Sequence, residues 1–150
     1  MAVSYNNVFY DYVLDPLRDA LISEFNYGNV YVSPEFKEMG TMSIRLFGTE
    51  SEVESYDLNQ WTKKYTIEIS MYLIELNPSE GFYKQLYNDS ERLFQLLFTN
   101  KTKETTIGST TIKWFGGIVE DVTINALEDD EADVEGLNAI KTSFECFVSS

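Results

Sequence analysis

The chain has 150 residues, 43% of them hydrophobic, and carries −14 from eleven Lys and Arg against twenty-five Asp and Glu, with no histidine. That length suits one domain, residues 1–150, with one core, since a chain of this size buries roughly 68–70% of its unfolded surface. The charge balance argues against binding nucleic-acid backbone or anionic membrane, which requires clustered cations, and the missing histidine excludes Ser-His-Asp and Cys-His catalysis.

No apolar run approaches the roughly 20 residues that span a bilayer. The start, Met-Ala-Val-Ser-Tyr-Asn-Asn, lacks the basic and apolar regions of a secretory signal. Cys146 is the single cysteine, so no internal disulfide forms and a cytoplasm is the expected place of folding.

The first element in chain order is a helix over Asp15 to Asn26. Asp15 is positioned to cap it and Pro16 suits its first turn, while Leu14, Leu17, Leu21, Ile22 and Phe25 form an apolar stripe. Tyr27-Gly28 reads as a left-handed stop. Tyr5, Val8, Phe9, Tyr12 and Val13 fit an earlier helical turn, kinked or broken at Pro16. Val30 to Val32 is a short apolar piece before the Ser33-Pro34 turn.

A long hairpin follows. Met42, Ile44 and Leu46 alternate with Thr41, Ser43, Arg45 and Phe47 as its first strand. Gly48 to Leu58, with Glu50, Glu52, Glu54 and Asp57, reads as an acidic loop with no basic residue of its own. From Gln60 to Glu75 the alternation resumes: Trp61, Lys63, Tyr65, Ile67, Ile69, Met71 and Leu73 on one face, Thr62, Lys64, Thr66, Glu68, Ser70, Tyr72 and Ile74 on the other. Strands usually run about 5–6 residues. One this long needs another surface to lie against, or it exposes its edge to stray pairing.

Asn77 or Ser79 caps a second helix over about Glu80 to Phe98, closed by Asn100 to Thr105 with lysines suited to the helix dipole. Thr106 to Phe115 is β-prone, Gly116-Gly117 is a turn or bulge, and Ile118 to Leu127 reads as a strand. A second acidic loop carries Glu128, Asp129, Asp130, Glu131, Asp133 and Glu135. The final strand, Asn138 to Val148, points Ile140, Phe144, Cys146 and Val148 inward. The expected fold class is α+β: a mixed or antiparallel sheet with an extended long hairpin, packed against two helices on one side.

Chemistry is hard to place on this pattern. Cys146 sits on an apolar strand face and reads as a buried structural thiol. No dinucleotide or P-loop glycine motif is present. Paired carboxylates need an apolar pocket to raise one pKa, and solvated loops supply none. Asp129, Asp130, Asp133 and Glu135 offer hard oxygen ligands, but without the spacing or central glycine of an EF-hand, so a solvated loop is the expectation. No catalytic, cofactor or metal residues are assigned. Of ten Tyr, ten Phe and two Trp, the Phe fall mostly on core stripes. Trp61, Tyr65, Tyr72 and Tyr56 on the hairpin are candidates for a subunit interface, where one side of a ring is apolar and the other wet.

The order of blocks resembles the tail terminator (tail completion) proteins of long-tailed bacteriophages. The resemblance rests on the helix at Leu17-Arg-Asp-Ala-Leu-Ile, the strand Met42-Ser-Ile-Arg-Leu-Phe-Gly and the acidic stretch ending at Asn59-Gln-Trp61. It continues through Tyr65-Thr-Ile-Glu-Ile-Ser-Met-Tyr-Leu, a second helix, and a late hairpin ending in Ile140-Lys-Thr-Ser-Phe-Glu-Cys-Phe. It covers nearly the whole chain and implies a virion protein without a catalytic site. The implied assembly is a hexameric ring that caps the tail tube, ends its polymerisation and joins the head connector. In such a ring the acids of Glu50–Asp57 or Glu128–Glu135 would line the channel and keep passing DNA unbound. Two alternatives fit the same sequence: another ring protein of the neck, such as a head-completion adaptor, or a small acidic module that binds protein, by strand addition or as a DNA mimic.

Overall fold

The computed structural model describes residues 2–26 and 29–150; the expected stop at Tyr27-Gly28 lies outside them. The N-terminal helix is longer than its capping signals imply. A π-helical stretch, Val8–Leu14, capped by the Asn7 side chain, runs directly into α1 (Asp15–Phe25). Asp15 is therefore interior and caps nothing. The change of pitch falls one residue before Pro16, which has no N–H to give to the preceding turn. Asn26 ends α1 at φ 51°, its N–H bonded to Ile22 O.

Among the described residues seven strands form one mixed sheet: β1 (Val30–Val32), β2 (Met42–Tyr56), β3 (Trp61–Ile74), β4 (Lys103–Ile107), β5 (Thr110–Val119), β6 (Thr123–Ile124) and β7 (Leu137–Ser149). The lateral order is β1-β2-β3-β7-β5-β4, with β6 on β7. All neighbours are antiparallel except β1 and β2. The sheet is α+β as expected, and β3 keeps the alternation read from it.

Two segments read as loops prove structured. Gly48–Leu58 is mostly strand, because Glu50, Glu52 and Glu54 alternate with Ser51, Val53 and Ser55 and pair across to β3 as far as Tyr56–Trp61. Bulges at Gly48/Glu50 and Val53/Ser55 interrupt the ladder. Only residues 57–60 turn the chain: the Asp57 carboxylate accepts from the amides of Asn59 and Gln60, both at 2.8 Å. The second segment contains α3 (Asp129–Ala132), whose reciprocal Glu128 and Glu131 bonds make a capping box. The strand expected over Ile118 to Leu127 is split, its first residues closing β5 and only Thr123–Ile124 pairing again as β6.

α2 (Glu80–Thr99) is capped by Ser79 and lies with α1 on one face of the sheet. Leu17 and Leu21 from α1 and Leu86, Leu93 and Leu97 from α2 share one core with Ile44, Leu46, Ile67, Ile69, Met71, Ile140, Phe144, Cys146 and Val148. Arg92 joins the helices by bonding the Glu24 carboxylate and carbonyl, with its guanidinium 4.7 Å from the Phe25 ring centre. Burial pushes the Cys146 thiol up to about 12, which suits a packing residue and not a nucleophile.

The end of α2 is fastened to the sheet edge. Trp114 Nε1 donates to Asn100 O at 2.8 Å, and Gly117 N to Lys101 O at 2.9 Å. The Phe115/Ile118 bulge carries Gly117 so close that an added Cβ would lie 2.7 Å from Lys101 Cα. Gly117→Ala is expected to lower the urea midpoint, a loss of about 1–3 kcal/mol. Gly81→Ala, where a Cβ meets only Ser79 Oγ at 3.6 Å, should leave the midpoint at or above wild type.

Candidate functional site

The distal half of the long hairpin is a ribbon whose β2 edge is open and whose β3 edge is paired with β7 as far as Thr62. Every residue from 49 to 60 is exposed. β1 covers the outer edge of β2 only along Ile44–Leu46. Among the described residues, no strand lies beside Phe47 to Tyr56 on that side. Such an edge presents unpaired N–H and C=O groups along its length.

The ribbon has two chemically distinct faces. On one, Glu50 and Glu52 stand opposite Thr66 and Lys64. Lys64 Nζ reaches Glu52 at 3.2 Å and Glu54 at 4.0 Å, and the Glu52 bond holds its ammonium above its ordinary pKa. The acids therefore do have a cation, delivered across the strand pair and not from within their own segment. The other face carries Ser51, Val53 and Tyr56 opposite Tyr65, Lys63 and Trp61. Lys63 Nζ lies 5.6 Å from the centres of both the Trp61 and Tyr65 rings.

At the root of this aromatic face the Phe9 ring packs on Tyr65 with centroids 4.4 Å apart. The ring lies over Gly48, where a Cβ would come within 2.3 Å of it. The face is hollowed into a groove of about 700 Å³ between the ribbon and the N-terminal segment, lined by Tyr5, Val8, Phe9, Val53, Tyr56 and Trp61 among others.

The expected interface residues thus separate. Tyr56 is 79% exposed and Trp61 half-buried, both on the ribbon. Tyr65 and Tyr72 are 3% and 2% exposed and have no surface to offer a partner. Tyr65 is filled in by Phe9 and the core, Tyr72 by Phe36 at 4.6 Å. Of the acids, Glu50, Glu52, Glu54 and Asp57 are exposed on the ribbon, and Glu128, Asp129, Asp130, Asp133 and Glu135 around α3. Glu131 is the exception at 2% exposed.

Glu131 belongs to a polar centre on the sheet face opposite α1 and α2. Its Oε1 accepts from Lys141 Nζ at 2.6 Å and from the Glu128 amide at 3.1 Å. Nearby, buried Arg45 donates to the carbonyls of Ser33 and Pro34 and to Ser70 Oγ. Burial, then the proximity of Glu131, pushes the Tyr72 phenol up to about 12. Burial alone would raise the Glu131 carboxyl, but bonds from Lys141, Tyr72 and the Glu128 amide outweigh it and hold it below its ordinary value. Ligand oxygens of Glu128, Asp130 and Glu131 do gather within 4.8 Å. Glu128 and Glu131 form the capping box, Glu131 also holds the Lys141 ammonium, and Asp130 is an exposed acid of the helix's first turn, so the cluster is explained as a helix cap. Neither Arg45 nor Lys141 was marked by the sequence, beyond their places on the outer face of strands otherwise rich in apolar residues.

No family model matches the chain, and no curated protein matches it. Among solved structures, a chain from the virion of a native gene transfer agent particle is similar, with a TM-score of 0.49 and 10% identity over 93% of this chain and 100% of that one. A second solved chain has a TM-score of 0.42 and 12% identity, covering 91% and 96%. Likenesses of this order carry no functional information. No helix among the described residues is long and apolar enough to cross a membrane.

A depressed carboxyl pKa stabilises the fold above the unfolded value and loses that contribution as pH falls through the folded one. Glu131→Gln should therefore destabilise the protein at pH 7 by about 3 kcal/mol, because Lys141 is left unpaired. Chemical denaturation at pH 7 and below pH 4 should show the gap between variant and wild type narrowing with acid.

Proposed function

We propose that this chain is a structural virion protein, a single tail-terminator-like unit that closes into a hexameric ring on the end of a phage tail tube. It stops polymerisation of the tube and presents a joining surface to the neck. The observation that carries this reading is the ribbon: β2 is exposed from residue 49 to Tyr56 and its outer edge has no strand partner there among the described residues, which leaves a sheet edge open to another chain. Contact between unlike patches of identical chains generates either a closed ring or an open filament, and a terminator requires the closed form. The role is stereochemical and calls for no catalytic group or cofactor.

The acidic face of the ribbon supports the same reading. Glu50, Glu52 and Glu54 with Asp57, joined by the exposed acids around α3, would give a channel wall that repels phosphates, so that DNA passes without being held. The partners are other copies of the chain, the tube protein and a neck protein.

Two measurements test it. Solution mass should rise with concentration or on addition of tube ends, and imaging should show a six-fold ring; a monomer under every condition would overturn the reading. Replacing residues 54–62 by Asn-Gly closes the hairpin at the Val53–Lys63 pair. That variant should still unfold cooperatively, with a thermal midpoint lowered because half-buried Trp61 and Thr62 go along with the exposed residues, while losing assembly. Separately, changing Glu50, Glu52 and Glu54 to Lys should slow DNA exit from assembled particles. Unchanged exit would remove the acids from the channel.

A further inference from the structure

A second groove, of about 510 Å³, runs between α2 and the segment from Val119 to Ile124. Tyr87, Phe94, Val122 and Ile124 contribute its apolar surface, with Tyr87 60% and Phe94 38% exposed. Its charged residues are all acids: Glu91, Glu120 and Asp121. Among the described residues none of the three takes part in an ion pair. An apolar trough rimmed by unpaired anions fits an aromatic surface bearing a cation.

The ribbon offers such a surface. On its aromatic face Val53 is 53% and Tyr56 79% exposed, with Trp61 beside them. The one charged side chain there is Lys63, which lies over two rings and has no carboxylate within 4.0 Å among the described residues. The opposite face, with Glu50, Glu52 and Glu54, would meet the same groove with like charge, which costs several kcal/mol across an interface. Charge thus decides which face docks.

Resting on the ring reading above, we infer that the aromatic face of the ribbon of one copy seats in the α2/119–124 groove of a second copy, with Lys63 against Asp121 and its neighbours. The two patches are different, so the contact is heterologous and repeats around a ring. Tyr56 and Trp61 are the anchors that fill the trough. Docking by this face leaves the acidic face turned away from the neighbour.

The test uses the full chain and four proteins: wild type, K63E, D121K and the double variant K63E/D121K. Sedimentation should show each single variant assembling only at about ten-fold or more higher concentration than wild type, and the double variant recovering most of the loss. Trp61 supplies a second readout. The other tryptophan, Trp114, is 1% exposed and bonded to Asn100 O, so a blue shift of emission on assembly comes from Trp61, and W61F should abolish it. Single variants that assemble like wild type, or assembly with no change in Trp61 emission, would overturn this docking while leaving the ring intact. A wild type that stays monomeric would overturn both.

Discussion

β3 is hydrogen-bonded along both edges over nearly its whole length, to β2 on one side and to β7 on the other. That double pairing constrains everything else. Because side chains alternate along a strand, one register fixes both surfaces of the sheet. Ile67, Ile69 and Met71 turn to the helices, and Ser70 and Tyr72 to the polar side. A slip of one residue would put Glu68 and Ser70 under α1 and α2. The helices need no sheet contacts beyond this face, and α2 is held in position at its end by Asn100 and Lys101.

The two sides of the sheet are stabilised differently. The helical side is a conventional apolar core, whose cost of disruption scales with the volume removed. The other side is small and partly polar, with Tyr72, Leu137 and Ala139 beside Arg45, Lys141 and Glu131. Buried charge of this kind adds little net stability, but removing one partner is costly. It makes the placement of α3 and of the 33–36 segment specific, since each supplies atoms that a buried cation requires.

Much of the fold was legible because period-two and helical patterns are direct consequences of backbone geometry. The long strand, both main helices and the inward residues of the last strand followed from it, whereas Gly116-Gly117, open between a turn and a bulge in the sequence, is a bulge inside β5. The acidic stretch Glu50–Asp57 did not, because like charges in sequence read as a solvated loop while their neutralising cation, Lys64, arrives only through strand pairing. Tyr65 and Tyr72 were indistinguishable from Trp61 and Tyr56 by residue type. What separates them is Phe9 and Phe36, which come from segments with weak local signals. Glu131 was hidden among acids for the same reason, its ammonium partner lying on β7. At the docking groove the sequence gives no sign that Glu91, Glu120 and Asp121 belong together, since the sheet brings two separate segments side by side.

The position of β7 in the sheet has a kinetic consequence. It follows every other strand in the chain, yet lies near the middle of the sheet, and its pairing with β3 spans separations as long as the 87 residues between Thr62 and Ser149. The β2–β3 hairpin is local and can form early, on the order of microseconds. The closed core must wait for β7, and domains dominated by such distant pairings fold in roughly milliseconds to seconds. During that interval β3 has a bare edge flanked by apolar residues, on a hairpin already formed. As the chain leaves the ribosome, it is therefore most open to misassociation until its final strand emerges, and a chaperone that shields β3 would act in that window.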